Sequence, residues 1–218
     1  MLCEVVMPVR LIIIAKAPVP GYAKTRLIPA LGDVGAAALA QRMLQHAVQQ
    51  ALLLQQMIPQ LQIELCVAPD KADPCWQVYQ HSGIQIQQQV NGDLGARMQA
   101  ALNRALDDGC AALLMGTDCP ALDAKLLGQA VEVVSQHQAV ICPTFDGGYA
   151  LLGLPVKCAA VFENMPWSTA EVYPLTLQRL QQSGCKIQQL PIQHDIDEAA
   201  DLAFLPEDWL KLNICISL

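Results

Sequence analysis

The sequence predicts an α/β protein in which helices cover both faces of a mostly parallel sheet. Two short, continuous apolar runs, at residues 11–15 and 111–115, are typical of strands buried on both faces. Longer stretches with helical character lie between such runs, as at residues 33–55 and 93–108. Strands that alternate with helices in this way favour a sandwich built around a parallel sheet.

The composition excludes several classes of protein. With 218 residues, 53% hydrophobic and 15% charged side chains, the chain can bury a full core and is not disordered. Its formal net charge of −7 argues against a nucleic-acid partner, which requires a surplus of Lys and Arg on some face. No stretch approaches the roughly 20 apolar residues of a membrane span, and the N-terminal residues do not predict a secretory signal. We therefore predict a cytoplasmic protein with one domain over residues 1–218, a motif-bearing core at about 9–205, no membrane partner and no indicated oligomeric state.

The nine cysteines are an odd number and are scattered, with no Cys-x-x-Cys pair. This spacing indicates neither a disulfide framework nor a zinc site. We expect most of them to be buried as small hydrophobic side chains in a reducing compartment.

Turn and capping residues mark the ends of the other elements. Asp73 precedes Pro74 at the start of a short helix, and Asp93 caps the helix that Gly109 ends. Residues 168–171 fit a capping box, although Pro174 favours a helix that begins nearer to itself. The Gln-rich segments at 41–62 and 85–89 are predicted to be solvated surface. Further strands are predicted at 61–68, 84–87, 139–142, 149–154 and 186–192, with a helix at 123–137 and a short last helix ending at 206.

Three polar clusters follow predicted strands. In an open α/β sheet, ligands bind beyond the carboxyl ends of the strands, so these clusters are expected to meet at one edge. The first cluster contains Lys16, Pro18, Gly21, Lys24 and Arg26. The prolines stiffen this loop, Gly21 allows close approach of the backbone, and the two last cations suit a polyphosphate. The alternative is an ordinary surface loop, and neither a Walker nor a Rossmann glycine motif is present.

The second and third clusters are carboxylates. Asp118 stands at the end of the buried strand 111–115, before a proline turn, and suits a hard cation such as Mg²⁺. It could instead cap the following helix, for which Asp123 is the better cap. Asp195 and Asp197 follow the last strand, and they either supply a second carboxylate to the same metal or cap the last helix.

Two glycine-containing segments have similar alternatives. Residues 146–149 are a tight turn or an acceptor-site loop in which Asp146 acts as a base or an orienting group. Residues 91–98 lead into a helix and are either a plain cap or a nucleotide contact.

Six motifs occur together in a fixed order along residues 11–205. They are Lys16 to Gly21 with Lys24 to Leu27, Gly92 to Met98, Gly116 to Pro120, Asp146 to Tyr149, Trp167 to Thr169, and Asp195 to Asp197 with Asp201 and Leu202. In this combination the chain resembles a bacterial family of type-A glycosyltransferase-like proteins, some labelled as arsenosugar-biosynthesis glycosyltransferases. That family lies in the nucleotide-diphospho-sugar transferase superfamily and is related to 2-phospho-L-lactate guanylyltransferase.

The resemblance implies a Rossmann-like three-layer sandwich with a mixed, mostly parallel sheet, and a Mg²⁺ or Mn²⁺ ion held by Asp118 and Asp197. It implies that Asp118, Lys24, Arg26 and Asp146 carry the catalysis. The nucleotide-binding residues that it implies are Lys16, Pro18, Gly21, Lys24, Arg26, Gly92, Asp93, Leu94, Gly95 and Arg97. The acceptor-binding residues that it implies are Asp146, Gly147, Gly148, Tyr149, Trp167, Ser168 and Thr169.

Among the departures from the family pattern, two bear on the metal site and the type of reaction. Glu198 replaces the usual Thr after Asp197, and Asp118 is a lone carboxylate rather than part of an Asp-x-Asp pair. The first hypothesis is a transferase that moves a sugar from a nucleotide-diphospho-sugar to a small acceptor. The alternative is a nucleotidyltransferase that joins a nucleoside triphosphate to a phosphorylated small molecule and releases pyrophosphate. A second alternative is a nucleotide-binding protein without catalysis.

Overall fold

The structure is a computed structural model that describes residues 7–80, 82–207 and 209. Within these residues seven strands form one sheet: β1 Val9–Lys16, β2 Gln62–Ala68, β3 Gln85–Gln88, β4 Ala111–Met115, β5 Ala139–Pro143, β6 Tyr149–Leu154 and β7 Ile187–Gln189. The α-helices are α1 Ile28–Met57, α2 Gln77–Gln80, α3 Leu94–Asp107, α4 Ala124–Ser135 and α5 Val172–Gln182.

The sheet is mixed, with the strand order β3-β2-β1-β4-β6-β5-β7. The strands β1 to β4 are parallel, whereas β6 runs antiparallel to both of its neighbours, β4 and β5. The predicted class, a mixed and mostly parallel α/β sandwich, is confirmed. Because β2 and β4 lie on opposite sides of β1, the strand order changes direction at β1. In open α/β sheets, ligands commonly bind beyond the carboxyl ends of the strands at such a point.

Helices cover both faces of the sheet, as the continuous apolar runs predict. In β1, Leu11 and Ile13 face a cluster that contains residues of α1 and α4, such as Leu44 and Leu127. Ile12 faces the opposite cluster, to which α3 and α5 contribute. Burial on both faces explains why β1 has no polar alternation.

Two charged side chains, Glu64 and Arg10, are buried among the described residues. Glu64 of β2 is fully buried, and its carboxylate accepts a hydrogen bond of 2.5 Å from Arg104 of α3. Arg10 of β1 lies 3.7 Å from the same carboxylate and also pairs with Asp108 at 2.8 Å. The two guanidinium groups compensate a charge that would otherwise be costly to bury.

Helix starts agree with the sequence except near residue 170. Asp73, Asp93 and Asp123 each accept a hydrogen bond from a backbone amide at a helix start, as an N-cap does. Of the two alternatives for this helix, the capping box at residues 168–171 is wrong and the start nearer to Pro174 is confirmed: α5 begins at Val172, two residues before Pro174, and its start has no side-chain cap. Thr169 instead accepts a bond of 3.3 Å from the Glu171 amide, within the turn that precedes the helix.

Two further elements differ in length from their predictions. Helix α1 begins at Ile28, but Gly32 has φ 71° and interrupts it, so the regular helix starts near the predicted residue 33. The last strand is shorter than predicted because Pro191, which has no amide hydrogen to donate, lies just beyond Gln189. None of the described helices is both long and apolar enough to cross a membrane. The single-domain organisation remains a prediction.

Candidate active site at the carboxyl ends of the strands

Two adjoining cavities open at the carboxyl ends of the central strands. The first cavity, of about 450 Å³, is lined by the ends of β1 and β4, the loop 22–26 and the first turn of α3. The second cavity, of about 250 Å³, is lined by the β5–β6 turn, residues 167–169 and Asp195. Arg26, Asp118, Tyr149 and Asp197 line both. Groups from four distant parts of the chain therefore meet at the junction of the two cavities.

The ammonium group of Lys24 lies at this junction between two carboxylates. Its Nζ is 2.7 Å from Oδ1 of Asp118 and 3.4 Å from Oδ1 of Asp197, and it donates a 2.6 Å hydrogen bond to the carbonyl oxygen of Ile196. The Lys24 side chain is only 7% exposed, whereas the carboxylates are 50% and 41% exposed. Arg26 pairs with Asp197 from the more open side, at 2.8 Å.

Local hydrogen bonds hold the two carboxylates in place. The amide of Ile196 donates to the carbonyl oxygen of Asp118 at 2.8 Å, which fixes residues 195–197 against the loop after β4. The amides of Asp197 and Glu198 both donate to the carboxylate of Asp201, so Asp201 satisfies the backbone at this turn. Asp123 caps α4, and Glu198 is the N-cap of the last short helix, Ala199–Phe204. The Asp118 and Asp197 side chains therefore do not serve as helix caps and instead face Lys24.

Lys24 reaches this position from an unusual backbone conformation. Its φ of 50° and ψ of 45° lie in the left-handed region, which residues other than glycine adopt only at a cost in conformational energy. This conformation turns the chain after Gly21. The Lys24 side chain is therefore buried beneath the loop, whereas the Arg26 side chain remains exposed to solvent.

Basic side chains predominate in the first cavity. Its lining includes Lys16, Lys24, Arg26 and Arg97, against the carboxylates of the junction. Arg97 is held by a 3.0 Å hydrogen bond from its Nε to the carbonyl oxygen of Gly92. These cations give the first cavity the chemistry of a polyphosphate site.

Carboxylates predominate in the second cavity. Asp118, Asp146, Asp195 and Asp197 line it, and Arg26 is the one basic side chain among its lining residues. Oδ1 of Asp146 accepts hydrogen bonds from the Thr144 hydroxyl at 2.6 Å and from the Gly148 amide at 2.9 Å. Asp146 therefore shapes the turn, as one alternative predicted, and lines the cavity as well.

The pKa of Asp195 reflects this crowding. Burial raises the pKa of its carboxyl group from 3.8 to about 6, and the negative charge of Asp146 adds to the effect. The charges of Asp197 and Asp201 contribute smaller increases. The ionised form of Asp195 is thus disfavoured in the folded protein.

Two aromatic side chains and a thiol complete the second cavity. Tyr149 Oη and Trp167 Nε1 are buried, and neither has a hydrogen-bond partner among the described residues. The Trp167 ring packs on Gly95, where a Cβ atom would lie 2.7 Å from the ring. Burial raises the pKa of the Cys119 thiol to about 11, so this thiol stays protonated and is a poor nucleophile. Five of the seven described cysteines are buried, and all seven are free thiols.

The structure gathers many of the predicted site residues, but not all. The predicted residues that line one of the cavities are Lys16, Lys24, Arg26, Leu94, Arg97, Asp118, Asp146, Gly148, Tyr149, Trp167, Ser168, Thr169 and Asp197. Those that line neither are Pro18, Gly21, Gly92, Asp93, Gly95 and Gly147. Several of the latter have structural roles: Asp93 caps α3, and Gly147 has φ 88° and packs against the backbone of Ala170.

Asp195, which together with Asp197 is predicted either to supply a carboxylate to the metal or to cap the last helix, lines the second cavity. The sequence does not single out Gln89 as a binding residue. Gln89 lines the first cavity and is buried, and its amide donates to the carbonyl oxygens of Ala15 and Cys66. The prediction that residues 85–89 are solvated surface is therefore wrong for Gln89. Nothing in the Gln-rich run distinguishes this side chain from its neighbours.

Comparison with known proteins identifies the family. Residues 51–169 match the model of a family described as uncharacterized protein conserved in bacteria, DUF2064. The chain belongs to the DUF2064 family. No curated protein matches the sequence of this DUF2064 protein.

Solved structures share its fold. A protein of Desulfovibrio desulfuricans G20, described as a candidate nucleotide-diphospho-sugar transferase, is 30% identical, with a TM-score of 0.82 over 96% of the DUF2064 chain and 90% of its own. This match confirms the superfamily that the sequence motifs indicate. A nucleotidyl transferase of Methanothermobacter thermautotroptrophicus is 14% identical, with a TM-score of 0.58 over 94% and 98% of the two chains. A CMP:2-keto-3-deoxy-manno-octonic acid synthetase complexed with CTP is 11% identical, with a TM-score of 0.54 over 90% and 95%. The last two show the fold alone.

The junction of the DUF2064 protein offers two ligands to a divalent cation. No cluster of three or more His, Cys, Asp or Glu side chains suited to a metal occurs within the described part of the chain. Asp118 and Asp197 nevertheless both reach a single positively charged atom, the Nζ of Lys24. Mg²⁺ is commonly held by one or two carboxylates, with substrate phosphates and water as the other ligands. The donor set of the junction therefore fits such an ion.

Proposed function

We propose that this DUF2064 protein is a metal-dependent transferase that uses an activated nucleotide, and that it moves a sugar from a nucleotide-diphospho-sugar to a hydroxyl group of a small acceptor. The observation that carries this proposal is the separation of charge between the two cavities. Basic side chains line the first cavity, carboxylates line the second, and the two cavities meet at Asp118 and Asp197.

The first cavity suits the nucleotide donor. Its volume of about 450 Å³ lies within the range of small-molecule sites, and Lys16, Lys24, Arg26 and Arg97 can neutralise a diphosphate. A donor with its phosphates near Arg26 places the attached group at the junction, next to the second cavity. Binding and orientation there would supply much of the rate enhancement.

Asp118 and Asp197 would hold the metal ion, Mg²⁺ or Mn²⁺. When bound, such an ion stabilises the negative charge that develops on a diphosphate leaving group. Arg26 pairs with Asp197 and lines both cavities, so its guanidinium can stabilise the same charge from the open side.

The second cavity suits an acceptor without phosphate groups. A phosphorylated acceptor would bring its charge among four carboxylates, with Arg26 as the one basic side chain of the lining. An acceptor rich in hydroxyl groups could instead donate hydrogen bonds to these carboxylates. Oδ2 of Asp146 has no hydrogen-bond partner among the described residues and is available to accept the proton of the attacking hydroxyl.

The second candidate function is nucleotidyl transfer, and one observation favours it. Residue 116, two positions before Asp118, is a glycine, so the junction lacks the paired carboxylates of an Asp-x-Asp motif. In that reaction a phosphorylated acceptor attacks a nucleoside triphosphate without a general base, and pyrophosphate leaves. The acidic second cavity opposes the binding of such an acceptor.

Ligand-dependent thermal unfolding tests the choice of donor. Nucleoside triphosphates and nucleotide-diphospho-sugars are compared, each with and without Mg²⁺. A ligand present at a hundred times its dissociation constant stabilises the folded state by about 2.7 kcal/mol, which raises the unfolding temperature measurably. We expect stabilisation by a diphospho-sugar that requires Mg²⁺, and its loss in Asp118→Asn but not in the surface control Asp107→Asn. Stabilisation by triphosphates alone would favour nucleotidyl transfer, and no stabilisation by any nucleotide would overturn both functions.

Turnover tests the role of Asp146. Replacing a general base typically costs on the order of 10² to 10⁴ in rate, so Asp146→Asn should lower kcat at least about 100-fold. Measurement of nucleoside diphosphate release follows the reaction directly. Turnover close to that of the wild type would remove Asp146 from the role of base.

A further inference from the structure

The Lys24 ammonium donates hydrogen bonds to the Ile196 carbonyl and to Asp197, and it forms an ion pair with Asp118. An ammonium group has three donors, and three oxygen atoms lie close to this one: the Ile196 carbonyl at 2.6 Å, Oδ1 of Asp118 at 2.7 Å and Oδ1 of Asp197 at 3.4 Å. Its side chain is only 7% exposed. In this arrangement the Lys24 ammonium is engaged by oxygen atoms of the protein rather than by a phosphate group in the first cavity.

The contacts of Lys24 and Arg26 involve three of the four carboxylate oxygens of Asp118 and Asp197. Oδ1 of Asp118 and Oδ1 of Asp197 face Lys24, and Oδ2 of Asp197 pairs with Arg26 at 2.8 Å. A divalent cation that binds both carboxylates would also lie a few ångströms from a positive charge, which strongly opposes its binding in a half-buried site. The metal ion and the Lys24 ammonium group therefore compete for the same position between the carboxylates of Asp118 and Asp197.

We propose that Lys24 and the divalent metal ion exchange places at the junction: the ammonium group neutralises Asp118 and Asp197 in the metal-free protein, and the metal displaces it. The displaced ammonium group then has its donors free for the phosphates of the nucleotide in the first cavity. Binding of the metal and binding of the phosphates thus favour each other. This inference rests on the proposed function, since it concerns the metal and the donor of the same site.

The affinity of the protein for Mn²⁺ alone, without nucleotide, tests the exchange. Free Mn²⁺ is measured by electron paramagnetic resonance during titration of the wild type, Lys24→Met and Lys16→Met. Lys16 is a matched control, because it lines the same cavity but lies over the ring of Tyr22, 5.9 Å from its centroid, rather than beside the carboxylates. We expect Lys24→Met to bind Mn²⁺ at least tenfold more tightly than the wild type, and Lys16→Met to bind it like the wild type.

Chemical labelling of the wild-type protein gives a second measurement that needs no variant. Acetic anhydride modifies accessible amines, and mass spectrometry reports the modification of Lys24 and Lys16 separately. We expect Lys24 to be protected without metal and to become reactive in saturating Mn²⁺, while the reactivity of the exposed Lys16 stays constant.

The outcomes separate this inference from the proposed function. Equal affinity of the wild type and Lys24→Met for Mn²⁺, with loss of binding in Asp118→Asn, overturns the exchange and leaves the metal site standing. Continued protection of Lys24 in saturating Mn²⁺ also overturns the exchange. Failure of both the wild type and Lys24→Met to bind Mn²⁺ without nucleotide overturns the exchange, and only the further absence of any Mg²⁺-dependent stabilisation by nucleotides overturns the metal-dependent function itself.

Discussion

Replacing Asp195 by Asn should stabilise the metal-free protein at neutral pH. Burial and the charge of Asp146 raise the pKa of Asp195 from 3.8 in the unfolded chain to about 6 in the folded protein. Ionisation of Asp195 therefore opposes folding, and this penalty is fully present above pH 6 and disappears as the pH falls below 3.8. Asparagine has nearly the same shape and no charge, so it removes the penalty.

The size of the effect follows from the shift in pKa. A difference of roughly 2 pH units corresponds to about 3 kcal/mol for a group shielded from water. Asp195 is half-buried, and solvent screening reduces this to about 1–2 kcal/mol. For a domain of this size such a gain should raise Tm by roughly 3–6 °C.

Thermal unfolding in the presence of EDTA, at pH 7.5 and at pH 4, measures the effect. We expect Asp195→Asn to unfold at a higher temperature than the wild type at pH 7.5, and the difference to shrink markedly at pH 4. The control Asp107→Asn, which removes an exposed carboxylate paired with Lys157, should show no such gain. A gain of equal size at both pH values, or a loss of stability at pH 7.5, would refute the electrostatic reasoning.

Two further substitutions test the packing that supports the site. Arg104→Met should lower the free energy of unfolding, measured in urea, by about 3–5 kcal/mol, because it leaves the fully buried Glu64 with a weaker partner. Lys157→Met, which removes an exposed ion pair, should lower it by less than about 1 kcal/mol. Gly95→Ala should destabilise the protein by about 1–3 kcal/mol and change the tryptophan emission, because its Cβ atom would lie 2.7 Å from the Trp167 ring. Similar costs for the two ion-pair variants, or an unchanged emission for Gly95→Ala, would contradict these expectations.

Local features of the sequence were enough to place most elements. The continuous apolar runs at residues 11–15 and 111–115 locate β1 and β4, because strands covered on both faces are apolar over most of their length. Asp93 and Asp123 locate helix starts because their side chains bond to amides only a few residues away. Residues 168–171 have the same capping pattern, but Ser168 has a left-handed backbone with φ 64°, and the helix begins later.

The direction of β6 was not evident from its own residues. Its apolar run Tyr149–Leu154 is compatible with either direction, and its antiparallel pairing follows from the short turn at 144–148, which cannot hold a crossover helix. This reversal brings Asp146 and Tyr149 to the edge of the sheet where β1 and β4 end.

The sequence by itself determined the fold class, the main buried strands and the edge of the sheet at which polar residues gather, because each depends on neighbours along the chain. Only the tertiary structure decided what those polar residues do to one another. Lys24 and Asp197 are separated by 173 positions, yet the ammonium group of the first lies between the carboxylates of Asp118 and the second. The high pKa of Asp195 likewise arises from burial and from the charge of Asp146, a residue of a different loop. Such contacts depend on distances in space, which the spacing of residues along the chain does not contain.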